Sequence, residues 1–272
     1  MSGFQDIEYT VDDPCAVITL NRPEQLNAFT YQTLTEIRAA VDAASADRRV
    51  VGIIITGAGR AFSAGLDMSV LAATTAADKA PPAASEEELP GIFSYLLEVP
   101  KPVIAAVNGV AAGGGLILAL MSDLRFASTE AAFTTVFLKR GLIAEHGSSW
   151  LLPRMLGVSK ALDLLWMSDK IDAVQAQQIG LVDRTVPPAD LLSTAVDYLR
   201  RLSAVSAPRA IGATKRLVYE HLGVGYREAL RQAEAVQNEF VTAADAAEGA
   251  QSFIERRPPK FARIEDNGVK KQ

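Results

Sequence analysis

The stretch KPVIAAVNGVAAGGGLILALMSD, residues 101–123, decides how the rest of the chain is read. It opens with the apolar run PVIAAV, bounded by proline on one side and Asn108-Gly109 on the other, the pattern of a buried strand. Gly113, Gly114 and Gly115 follow, and then LILALM, an apolar run suited to start a buried helix. Glycine permits close backbone approach and dihedrals that other residues avoid. The first turn of a helix leaves N–H groups without intrahelical partners, at the positive end of the helix dipole. A strand, a glycine turn and a helix start therefore make a place to hold negative charge on a ligand oxygen. On this segment alone a second reading stands beside it, in which the glycines only let helices pack tightly.

A second segment shifts the balance. VVGIIIT, residues 50–56, reads as another buried strand and runs into GAGRAFSAGLDM, residues 57–68, where Leu66 directly follows Gly65. Together the Asn-Gly-x-x-x-Gly-Gly-Gly block at 108–115 and the Phe-x-Ala-Gly-x-Asp block at 62–67 resemble the paired signature of the enoyl-CoA hydratase/isomerase (crotonase) superfamily, in the family's order and roughly its spacing. The resemblance runs from about Asn21 to Phe261. It implies an α/β chain with the ClpP/crotonase-like fold, a spiral of ββα units followed by C-terminal helices that build a trimer contact. Residues 1–195 would form the core with the coenzyme A and oxyanion sites, and 196–272 the helical oligomerisation region. The expected assembly is a homotrimer or a dimer of trimers.

Composition bounds the rest. The 272 residues are 49% hydrophobic and 22% charged, ordinary for a globular chain with a sizeable core. A net charge of −5 argues against a nucleic-acid partner. The single cysteine, Cys15, excludes an intrachain disulfide and sits in the apolar run CAVITL. No basic-then-apolar leader is visible and no apolar run reaches about 18 residues, so a cytoplasmic protein with no membrane partner is expected.

Along the chain, residues 4–20 read as a hairpin split at Asp12-Asp13-Pro14. NRPEQLNAF, residues 21–29, resembles the family's Asn-Arg-Pro-x-x-x-Asn-Ala lead into its first helix. There Arg22 is either a ligand for a coenzyme A phosphate or a solvated surface arginine. Residues 30–45 place Leu34, Ile37, Val41 and Ala44 on one helical face. Residues 69–90 lose apolar periodicity and read as a loop with a helical piece, either a lid on the acyl pocket or a surface insertion. Residues 123–127 supply a further strand, and AVQAQQIGLV at 173–182 resembles a family turn. From Leu191 onward the pattern is helical, Asp245 and Glu248 have the spacing of a helix-capping pair, and 264–272 is polar.

The resemblance carries a chemistry: stabilising the enolate-like oxyanion of an acyl-CoA thioester by the backbone N–H groups of Leu66 and Gly114. Around them it implies substrate contacts at Ala28, Ala64, Gly65, Asp67 and Gly113. The family's hydratases add two glutamates, and those positions fall on Ile117 and Phe137, neither of which can move a proton. Glu145 is the alternative, because Gly141-Leu-Ile-Ala-Glu-His-Gly-Ser-Ser-Trp150 resembles the isomerase-like branch, where one carboxylate shuttles a proton between two carbons. Enclosure beside Phe137, Leu142 and Trp150 is expected; the competing role is an exposed acid capping the next helix. His146 either bonds Glu145 or points away, as adjacent side chains often do. Phe261 matches a family position that reaches a neighbouring subunit's ligand, with Lys260 beside it for a phosphate, and a plain tail anchor is the other reading.

Two separated histidines and no cysteine cluster give no metal set. No cofactor is expected beyond coenzyme A as part of the substrate. No Gly-x-Ser-x-Gly elbow occurs, and Gly57-x-Gly59 lacks the third glycine of a dinucleotide fingerprint. The expectation is thus double-bond isomerisation of an enoyl-CoA, as in fatty acid metabolism. Its rivals are hydration by Glu145 alone, hydrolase or dehalogenase chemistry with Glu145 as nucleophile, and acyl-CoA binding without turnover.

Overall fold

Asp13-Pro14 turns the chain between two strands, β1 (Ile7–Asp12) and β2 (Cys15–Leu20), which pair antiparallel with Ile7 opposite Leu20. In this computed structural model, which describes residues 3–68, 70, 72 and 90–264, the predicted hairpin is therefore present. Helix α1 (Tyr31–Ala46) starts at Thr30, whose side chain accepts from the Thr33 N–H while Thr33 returns a bond to the Thr30 N–H. It buries Ile37, Ala40, Val41 and Ala44, the face set by its apolar spacing.

The chain then winds in repeating turns. Strand β3 (Gly52–Gly57) leads to β4 (Ala61–Ser63); β5 (Val103–Val107) leads to β6 (Val110–Ala112) and helix α2 (Gly114–Met121); β7 (Leu124–Ser128) leads to β8 (Ala132–Thr134). The long strand of each turn joins one sheet and the short strand joins another. After helices α3 (Ser148–Leu156) and α4 (Val158–Met167), β9 (Ile171–Asp172) closes the second sheet. Helix α5 (Ala173–Gln178) and β10 (Arg184–Val186) finish the first. The sheet orders are β1-β2-β3-β5-β7-β10 and β4-β6-β8-β9, parallel except at β1 and β9.

An uninterrupted apolar strand divides its side chains between two faces, because successive residues point opposite ways. Ile53, Ile55, Val103, Ala105 and Val107 enter the main core with α1 and α2. Ile54, Ile104 and Ala106 enter a second core with Phe126 and with Leu191, Ala195 and Leu199 of α6 (Leu191–Val205). Cys15 lies in that second core, where burial pushes its thiol up to about 11. It is a packing residue, as read from CAVITL. Helices α7 (Pro208–His221), α8 (Tyr226–Val241) and α9 (Ala244–Glu255) complete the described chain. Among the described residues no helix is long and apolar enough to cross a membrane.

Two expectations change. The short strands β4, β6 and β8, implied by the ββα resemblance but not read one by one, have three residues each, too few for hydrophobic alternation to show them. Asp245 and Glu248 are not a capping pair: α9 starts at Ala243 with no side-chain cap. Both carboxylates hold the returning tail instead, Asp245 accepting from the Ala262 N–H and Glu248 from the Lys260 N–H and the Arg257 guanidinium. The proposed lid, 69–90, lies outside the described residues apart from 70, 72 and 90.

Candidate active site

The site begins with one isolated bridge. Phe29 pairs parallel with Leu66: the Phe29 N–H donates to Gly65 O at 2.7 Å and the Asp67 N–H donates to Phe29 O at 2.9 Å. Such a bridge uses the groups of residues 65 and 67, so Leu66's own N–H faces the other way. On that side stands the start of α2. A Cβ built on Gly114 would lie 3.5 Å from the Leu66 nitrogen, and one built on Gly65 would lie 2.9 Å from the Gly114 nitrogen. Gly114 is the first residue of α2, where the N–H has no intrahelical partner. The structure therefore brings both expected donors together, at the positive end of a buried helix.

Glycine is needed here for two separate reasons. Gly65 and Gly113 have φ of +90° and +50°, in the left-handed region where a side chain is strained. At Gly115 a Cβ would meet Ser63 O at 2.2 Å, so only glycine lets α2 come this close to β4. Of the two readings of the glycine triplet, Gly115 performs the tight packing and Gly114 presents the N–H. The helix starts at Gly114 itself, two residues before the apolar run that predicted it.

Three polar side chains, none of them assigned from sequence, hold the donor loops in register. Asn27 is 1% exposed; its amide donates to Ala58 O and Ala61 O and accepts from the Arg22 N–H. Ser63 donates to Asn27 O and accepts from the Gly65 N–H. Asn108 accepts from the Gly57 N–H and donates to Gly59 O and Ala61 O. Asn27 and Asn108 stood inside the quoted motifs, but a buried amide and a loop amide look alike in sequence.

Ala64 and Ala28 flank the bridge, the Ala64 N–H donating to Leu26 O and the Ala28 carbonyl accepting from Arg22. Arg22 is no solvated surface residue. Its side chain is 19% exposed, and its guanidinium also meets Asp67 at 3.4 Å and Asp6 at 3.7 Å.

Both hydratase carboxylate positions are apolar and inside the main core, Ile117 at 0% and Phe137 at 5% exposure. Glu145 lies in the turn before α3, where its carbonyl accepts from the N–H and hydroxyl of Ser148. The helix N-cap is Gly147, with no side-chain cap bond, so Glu145 does not cap α3 with its carboxylate. The enclosure expected is incomplete, since a third of the Glu145 side chain is exposed. His146 points toward it rather than away, with Nε2 3.8 Å from the carboxylate. Burial lowers the His146 pKa, opposed by the charge of Glu145.

The turn reaches the donors through one neighbour. A Cβ on Gly91 would lie 3.6 Å from the His146 backbone, and the next side chain, Ile92, lies 3.5 Å from the Cβ position of Gly114. On the far side, Trp150 and Gly147 line a cavity of about 670 Å³ with Pro90, Leu97, Met121 and Tyr219. Lys260 and Phe261 are placed elsewhere, with the Phe261 ring 3.8 Å from the Cβ position of Gly249 on α9. Within one protomer the pair anchors the tail. Among the described residues no group of three His, Cys, Asp or Glu side chains is placed to hold a metal ion.

A ββα spiral that sets the Leu66 and Gly114 nitrogens beside each other at the start of a buried helix is the architecture of the crotonase fold. The family description "Enoyl-CoA hydratase/isomerase" matches residues 11–264. A probable enoyl-CoA hydratase of Rhodobacter capsulatus is 35% identical over 263 residues, covering 95% of this chain and 98% of that protein. One from Mycobacterium bovis is 38% identical over 253 residues, 90% and 88% of the two chains. A crystal structure of a probable enoyl-CoA hydratase/isomerase from Mycobacterium abscessus superposes with a TM-score of 0.85 at 32% identity, covering 95% and 99%. This chain is an acyl-CoA-processing enzyme of the enoyl-CoA hydratase/isomerase family.

Proposed function

We propose that the enzyme moves the double bond of an enoyl-CoA, with Glu145 carrying the proton and the Leu66 and Gly114 N–H groups holding the thioester oxygen. The observation that carries this reading is the pairing of one carboxylate at the turn with apolar, buried residues at both hydratase positions. Starting from a 3-enoyl thioester, the Glu145 carboxylate takes a proton from the α-carbon. The electron pair moves onto the thioester oxygen, giving a dienolate with its negative charge between two fixed donors. Such preorganised donors are worth about 3 kcal/mol each. The same carboxyl group, now protonated, returns the proton at the γ-carbon, the carbonyl re-forms and the double bond lies between the α- and β-carbons. No water is consumed. The acyl chain's far end fits the apolar wall of Trp150, Met121 and Leu97.

The names of the relatives favour a second reading, hydration, in which Glu145 alone activates water. Glu145→Gln decides what the carboxylate does. Turnover of a 3-enoyl-CoA should fall roughly 10²- to 10⁴-fold, the usual share of a general acid–base. Undiminished isomerisation by the variant would remove Glu145 from the mechanism.

Assembly through the C-terminal helices belongs to the same proposal, with Lys260 and Phe261 acting at a neighbouring copy. Its support is the apolar surface left on α8 and α9, where Tyr226, Phe253 and Ile254 are exposed by 78%, 85% and 74%.

A further inference from the structure

Arg22 was read as a phosphate ligand or a solvated residue; its enclosure and ion pairs rule out the second. It lies five residues before the buried Asn27, and its N–H donates to that amide at 2.9 Å. Its guanidinium then ties together the two segments that pair at the Phe29–Leu66 bridge. Nη1 donates to the carbonyl of Ala28, the residue before Phe29, and pairs with the carboxylate of Asp67, the residue after Leu66. Nε faces Asp6 at 3.7 Å, and Asp6 also takes the hydroxyls of Thr30 and Thr33 at the start of α1.

We infer that Arg22 is a positioning residue for the Leu66 N–H: it clamps both arms of the bridge that aims this donor, and it neutralises Asp67 next to the place where the oxyanion forms. The inference rests on the reading of Leu66 and Gly114 as oxyanion donors. The physical case has two parts. An isolated bridge is held by two backbone bonds, so one nitrogen, Nη1, that holds both the Ala28 carbonyl and the Asp67 carboxylate while Nε faces Asp6 limits how far Leu66 can swing. A carboxylate within one residue of the donor would oppose charge on the oxygen unless a cation is paired with it. Lysine offers a single point charge on a flexible stem with no second nitrogen to face Asp6, so it would serve the second purpose and only part of the first.

The test uses the full chain with a chromophoric thioester, a dimethylaminocinnamoyl group carried either on coenzyme A or on pantetheine, which lacks the nucleotide phosphates. Polarisation of the carbonyl by both donors shifts the bound absorbance to the red. Arg22→Ala is expected to lose at least half of that shift with both carriers. Turnover should fall roughly tenfold to a hundredfold, mainly in kcat, as misplacement of a catalytic group does. Arg22→Lys should retain an intermediate shift, Asp67→Asn, which loses the clamp together with the opposing charge, should lose less than Arg22→Ala, and the double variant should be no worse than Arg22→Ala alone.

A full shift in Arg22→Ala, with affinity lost only for the coenzyme A thioester, would make Arg22 a phosphate ligand and overturn the inference. A full shift with unchanged turnover would overturn it equally. If Arg22→Ala does not fold, Arg22→Lys and Asp67→Asn carry the same test. A wild-type protein that shifts the probe without isomerising any enoyl-CoA leaves this inference standing and removes the isomerase reading. No shift in the wild type removes the oxyanion reading and this inference together.

Discussion

At the scale of single residues, neighbouring glycines of one triplet predict opposite failures. A Cβ on Gly114 makes only ordinary contacts of 3.5 Å, but it stands beside the Leu66 nitrogen in the space the thioester oxygen would take. Gly114→Ala should keep the wild-type melting temperature within a few degrees and lose on the order of a hundredfold in turnover, comparable to losing one oxyanion donor. Thermal melting beside kinetics checks both halves. This residue was singled out from sequence because a glycine triplet at a helix start leaves an unpaired backbone N–H there, and the structure places Gly114 first in α2. Glu145 was singled out by its motif, but its incomplete burial could not be read there, since side-chain exposure depends on segments far away in the chain. Asn27 and Ser63 were missed altogether, because the carbonyls they satisfy become neighbours only after folding.

At the scale of elements, packing of α2 on β4 depends on Gly115. A Cβ there would overlap Ser63 O, a backbone atom that cannot step aside. Gly115→Ala should cost about 1–3 kcal/mol, the usual range for overpacking, and lower the urea midpoint while Gly114→Ala does not. The end of α1 has a different support. Lys101 is 2% exposed and its ammonium donates to Ala44 O and Asp47 O at 2.8 Å each, satisfying carbonyls that a helix end leaves open. Burial lowers its pKa to about 8 from 10.5, against the opposing charge of Asp47. Between those values the unfolded chain holds a proton that the folded chain has released, so stability rises with pH across the window. The gain is at most about 1.4 kcal/mol per pH unit. Denaturant midpoints at about pH 8 and pH 9.5 should therefore diverge between wild type and Lys101→Met, with only the wild type gaining at the higher pH. The hairpin, strands β3 and β5 and helix α1 were read correctly because their apolar periods exceed one turn or one alternation, whereas α4 (Val158–Met167) was not read at all. The Asp245 and Glu248 pair was misread because the same i, i+3 spacing also suits two acids that grip a returning tail.

At the scale of the whole molecule, the two layered sheets followed from recognising the paired loop signature and not from hydrophobic pattern, which showed only the longer strands. Assembly is where one protomer says least and its surface says most. Replacing Phe253 and Ile254 by aspartate places charge on two of the most exposed apolar side chains of α9. If α9 packs on a neighbouring copy, sedimentation should show the double variant as smaller species than the wild type. An unchanged sedimentation profile would place the contact elsewhere.

The central claim is that a proton moves between two carbons of one acyl chain with no water added. The most direct measurement incubates the purified enzyme with a 3-enoyl-CoA deuterated at the α-carbon, then identifies the product by chromatography, mass and label position. The account predicts a 2-enoyl-CoA with no water gained and with deuterium found at the γ-carbon. A product heavier by one water, formed by adding hydroxyl and hydrogen across the double bond, would contradict it and make the enzyme a hydratase.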